Sequence, residues 1–191
     1  MRTCWQSLLA LALLVSAARA DVLVVDASGG GEDIMLQDAL AVAQDGDTIL
    51  LRPGNYAFPF EPPFDITDRS LTLAGDGTGV VEIGSIGVVQ NVPGKRVVLR
   101  GLTATHPGFT GHSEGLLVQG GEVLVEDCQF KGRDGTDAIF GTPGLPGVRV
   151  DSGHLLLVRS TVQGGRGQSM AGFFVFPATP GGPGLVVSLR A

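Results

Sequence analysis

Three side chains within five residues, Arg133, Asp134 and Asp137, form the best local constellation of acid and base in the 191-residue chain. Two carboxylates beside a guanidinium could hold a cation or bind sugar hydroxyls. The same Asp-Gly-Thr-Asp spacing also makes a turn in which aspartate side chains accept hydrogen bonds from nearby backbone amides, and this is the reading we favour. A second group, His106, His112 and Glu114, lies around the glycine-rich stretch HPGFTGHSEG. Histidines six apart on such a loop lack the spacing of a zinc pair on a helix or strand, so no metal site is expected there. His154 follows Ser152-Gly153 and reads as a surface residue at a strand start. The glycine run SGGGED, before a helical segment, has neither a G-x-G-x-x-G spacing nor a G-K-[ST] ending, and its two acids would repel a phosphate.

These residues hang on elements that repeat. Residues 115–132 (GLLVQGGEVLVEDCQFKG) and 147–164 (GVRVDSGHLLLVRSTVQG) match without a gap at an offset of 32, pairing Val118 with Val150, Gly121 with Gly153 and Phe130 with Val162. An earlier copy, 87–105, fits with two extra residues in its turn, setting Gly87 against Gly115. Residues 70–77 resemble a still earlier strand, and a last copy begins at Gly184, aligned with Gly147. Each unit reads as a strand of about four residues, a tight polar turn, a longer strand and a Gly/Pro/Asp-rich excursion. A unit this short cannot bury its apolar side alone, so successive copies must stack strand over strand. The expected fold is all-β, a parallel β-solenoid. Ahead of it, Val22–Val25 forms a strand, and Asp33 can cap a helix whose apolar face is Leu36, Ala39, Leu40 and Ala43. Thr48–Leu51 then forms the next strand.

Composition agrees. Glycine, 30 of 191 residues, is more than double the usual ~7%, and corners that need positive φ explain the excess. The charge is −6, with only two lysines, Lys95 and Lys131; without a basic face, no nucleic-acid partner is expected.

The first twenty residues read as a signal peptide: Arg2, the apolar core 8–15 (LLALALLV), then Ala18-Arg19-Ala20. Cleavage after Ala20 would leave 171 residues with a charge of −8, secreted or otherwise outside the cytoplasm. No apolar run is long enough to span a bilayer. Cys128 would be the single cysteine left, a buried small hydrophobe in the expected reading. The run Phe173-Phe174-Val175-Phe176 reads as an extra strand covering the coil.

The segment GGGEDIMLQDALAVAQDGDTILLRPGNY, 29–56, resembles the opening of right-handed parallel β-helix proteins of the pectin-lyase-like superfamily, and VLVEDCQFKG resembles their coil repeat. The resemblance implies a right-handed parallel β-helix over residues 21–191, with a short N-terminal capping helix: cap and first coil in 21–56, coils in 70–191. The superfamily contains lyases, hydrolases and exported proteins without known activity. Calcium-dependent lyases of that kind need stacked acids. Here the equivalent positions are Gly101, Asp127 and Arg159 at one level and Arg100, Glu126 and Val158 at the next, so no acidic ladder is expected. The hydrolase motifs are missing too, Gly111-His112-Ser113 being at most a fragment of one. The favoured function is a noncatalytic exported repeat protein binding a polysaccharide or cell-surface glycan, with no cofactor. The alternative is a polysaccharide lyase or glycoside hydrolase acting on acidic polysaccharide, calcium-dependent if a lyase, with Arg133, Asp134 and Asp137 as its candidates. With Gly184 aligned on Gly147, Ala191 falls on His154, leaving the last coil incomplete; truncation or a partner stacked end to end on the C-terminal coil is expected.

Overall fold

The computed structural model describes residues 20–28, 35–57, 63–89, 91–105, 114–135, 142–167 and 180–187. The leader through Arg19, the capping candidate Asp33 and the run Phe173–Phe176 lie outside the described residues.

Among the described residues, fourteen strands and one short helix follow in chain order: β1 Val22–Val25, α1 Leu36–Val42, β2 Thr48–Leu51, β3 Gly54–Asn55, β4 Phe64–Thr67, β5 Leu71–Gly75, β6 Val81–Ile83, β7 Ile86–Val89, β8 Arg96–Arg100, β9 Thr103–Thr105, β10 Leu116–Glu126, β11 Gln129–Lys131, β12 Val148–Val158, β13 Thr161–Gln163 and β14 Leu185–Val187. They make two sheets. One runs β1-β2-β5-β8-β10-β12-β14, with β4 and β7 joining it through β10; the other runs β3-β6-β9-β11-β13. Every pairing among the described residues is parallel. Strands that neighbour in space come from successive repeats, since parallel partners cannot be joined by a tight hairpin.

The register follows the ungapped sequence repeat on either side of a bulge at Gln119. Val123 faces Leu155 and Phe130 faces Val162, and Val148 faces Leu185. The earlier copy differs: Leu117, not Gly115, faces Gly87. A slip of two residues leaves every side chain on the same face, so hydrophobic alternation is blind to it. The expected break into two strands is also corrected. β10 and β12 each run through as eleven residues, because Gly120 (φ 122°), Gly121 (φ 70°) and Gly153 (φ 91°) absorb a bulge without leaving the sheet.

Inward side chains stack into one core. Ile49, Leu73, Leu99 and Val125 form one buried column, and Ile83, Ala104 and Phe130 line the second sheet. Burying each larger member contributes about 1.5–3 kcal/mol. Toward the last copy the column thins: Leu155, Leu157 and Val162 are only partly buried against it. At the other end, α1 buries Leu36, Ala39 and Leu40. Seven residues are too few for an isolated helix, and its N-cap position, Met35, makes no side-chain cap bond. Its C-terminal carbonyls are held instead: Arg69 Nη1 donates to the Leu40 and Ala43 carbonyls at 2.8 and 2.7 Å.

The corner after β8, β10 and β12 is left-handed at each level, by Gly101 (φ 65°), Asp127 (φ 53°) and Arg159 (φ 48°). Only one of the three is glycine. Much of the glycine excess lies instead where extended segments pack backbone to backbone outside the strands. Leu145 N donates to the Arg133 carbonyl (2.9 Å), Gly165 N to that of Leu145 (2.8 Å) and Gly182 N to that of Gly165 (2.7 Å). A Cβ on Gly165 would overlap the Arg133 carbonyl.

Candidate functional site

Asp134 joins two repeats. Its Oδ2 accepts from Lys131 Nζ at 2.8 Å and its Oδ1 from the Arg166 backbone amide at 2.7 Å, and Gly135 N donates to the Arg166 carbonyl at 2.7 Å. Its amide partner is therefore 32 residues away, not within its own turn. The Lys131 ammonium, then the Arg166 amide, holds its carboxyl below the ordinary range. Arg133 Nε is buried without a hydrogen-bond partner among the described residues. Asp137, His106 and His112 lie outside the described residues.

On the outer face, acids stack against arginines of the adjacent repeat. Arg96 Nη2 donates to Glu122 Oε2 at 2.8 Å, and Arg100 Nε to Glu126 Oε2 at 2.8 Å. Arg159 grips both oxygens of Asp127 at 2.7 and 2.8 Å. This bidentate geometry is the strong form of the pair, and it depresses the Asp127 pKa and raises that of Arg159. Parallel stacking thus sets opposite charges, not an acidic column, on neighbouring strands.

A buried pair of acids was not anticipated. Glu114, just ahead of β10, and Asp151, in β12, are each only 7% exposed, and both meet one guanidinium. Arg149 Nε donates to Asp151 Oδ1 at 2.8 Å, and Arg149 Nη1 lies 3.5 Å from Glu114 Oε1. Hydrogen bonding to Asp151 raises the pKa of Arg149. Gln119 Nε2 donates to Asp151 Oδ2 at 3.1 Å. The bulge makes this possible: Val118 faces Val150 but Gln119 faces Ser152, so Asp151 drops out of the ladder. The ungapped repeat alignment hides that shift.

In front of this network lies an open cleft of about 420 Å³, lined by Asn91, Gln119, Glu122, Ser152 and His154 over a floor that includes Gly120, Gly121 and Gly153. Glu122 and His154 also line an adjoining hollow of about 250 Å³ with Arg96, Leu124 and Leu156. Asn91 is fixed at the edge of the cleft, accepting from Arg69 N at 3.1 Å and donating to the Arg69 carbonyl at 3.2 Å. Together the hollows run across β8, β10 and β12.

Cys128 is buried, and burial pushes its thiol up to about 11. No group of three His, Cys, Asp or Glu residues converges to hold a metal among the described residues, and no helix among them is long and apolar enough to cross a membrane. No protein-family model, curated protein or solved structure matches the chain.

Proposed function

We propose that the chain is an exported, noncatalytic repeat protein, folded as a right-handed parallel β-solenoid akin to the pectin-lyase-like proteins, that binds glycan along the cleft beside its glycine bulge. The solenoid reading draws on the all-parallel pairing of successive repeats and on the right-handedness of nearly all parallel crossovers. The observation that carries the noncatalytic reading is the pairing of acids with arginines along the outer face, which leaves those carboxylates engaged as structural partners. The cleft supplies the Ser152 hydroxyl, the His154 imidazole and, with its Arg96 ion pair intact, the Glu122 carboxylate, whose remaining lone pairs can accept from sugar hydroxyls. Its length crosses repeats spaced about 4.8 Å apart, so that equivalent positions of successive strands line it in sequence.

A second reading, a glycoside hydrolase or lyase, is favoured by Glu114 and Asp151, two buried acids brought to one arginine. Calorimetric titration of neutral and acidic oligosaccharides into the protein tests the binding reading. Saturable binding that falls at least tenfold in Glu122→Ala and Ser152→Trp is expected. Absence of binding across the panel, or binding indifferent to both substitutions, contradicts it.

A further inference from the structure

Asp47 is a buried carboxylate, 5% exposed, on the turn between α1 and β2. Its Oδ2 accepts from the Gln44 amide at 2.6 Å and its Oδ1 from the Asp21 amide at 2.9 Å. Residue 21 is fixed from its other side as well, because its carbonyl accepts from Thr48 N at 2.9 Å. Ala20 and Asp21 are themselves exposed. Among the described residues Asp47 has two amide donors and no ion pair.

We infer that Asp47 is the built-in counter-ion for the amino terminus that processing creates at Asp21. The inference rests on the exported reading. A signal peptidase adds one water across the Ala20–Asp21 bond; Ala20 leaves with the new carboxylate, and Asp21 keeps the amine, which takes up a proton as ammonium. The nitrogen that Asp47 already binds thereby gains a positive charge without moving, and a buried carboxylate gains the partner that buried charge otherwise lacks. A longer start displaces the charge from Asp47, and a shorter one removes the donor. Charges nearby are the Asp21 carboxylate, Asp38 on α1, Asp45 with Lys95 at 2.9 Å, and Arg69 on the α1 carbonyls. β1, β2 and β5, which form this corner of the sheet, carry no charged residue.

The sign of the pH effect follows. An ammonium beside a carboxylate titrates above the ordinary α-amino value of about 8, so its stabilisation is complete below that pH and is lost as pH rises through the folded value.

The full 191-residue chain is produced in an exporting host, the secreted form is sequenced from its N-terminus, and its melting is compared with that of the unprocessed precursor and of the Nα-acetylated secreted form. A start at Asp21 is expected, with a Tm at pH 7 above that of the acetylated form by roughly 3–6 °C, the shift given by about a tenfold change in the folding equilibrium. The gap should close above pH 9 and in Asp47→Asn. A start elsewhere in an exported protein, or equal melting of free and acetylated forms, overturns the inference while leaving export standing. Failure to be exported overturns both. Should Asp47→Asn not fold, the acetylated form still decides.

Discussion

Arg149 shows how much one side chain holds at this bulge. Removing it takes the shared guanidinium away from two carboxylates, each 7% exposed. Arg149→Ala should cost about 2–3 kcal/mol in urea unfolding, below the 3–5 typical of a fully buried pair because the guanidinium is partly exposed. Depressed carboxylates elsewhere set the acid limit of the whole protein: Asp47 through the Gln44 and Asp21 amides, Asp127 through Arg159, and Asp134 through Lys131 and Arg166. Each binds fewer protons folded than unfolded, so its contribution is present above about pH 4 and lost as pH falls further. Tm should therefore be level between about pH 5 and 8 and drop below 4. Cys128, with a thiol at about 11 and a buried position, should resist iodoacetamide at pH 7.5 until the protein is unfolded, as read by mass spectrometry.

At the scale of elements, glycine separates by role. Gly165→Ala would drive a methyl into the Arg133 carbonyl and should cost about 2–3 kcal/mol by chemical denaturation. Gly94→Ala, at φ 90° but with open space around it, should cost only the backbone penalty of roughly 1 kcal/mol. The strands were legible in the sequence because an ungapped repeat of apolar residues specifies both face and register, as at Val123 and Leu155. The four-residue insertion between β7 and β8 was not, because alternation cannot separate registers two apart. Nor was Asp151: a bulge changes which residues face each other without changing residue types. The helix was legible from Leu36, Ala39 and Leu40, whereas its cap by Arg69 comes from a residue 26 positions beyond Ala43, beyond any local pattern.

For the molecule as a whole, the separation between binding and chemistry turns on what the acids do. Glu122 and Glu126 each meet an arginine from the preceding repeat and Asp127 one from the next, Asp134 meets Lys131, and Glu114 and Asp151 share Arg149. The most direct measurement is incubation of the processed protein with polygalacturonate, alginate and neutral glycans, with and without calcium, following unsaturated products by absorbance and new reducing ends by assay. We predict neither product at any calcium concentration, alongside saturable glycan binding. Robust turnover abolished by Glu114→Gln, Asp151→Asn or Asp134→Asn would contradict the noncatalytic account.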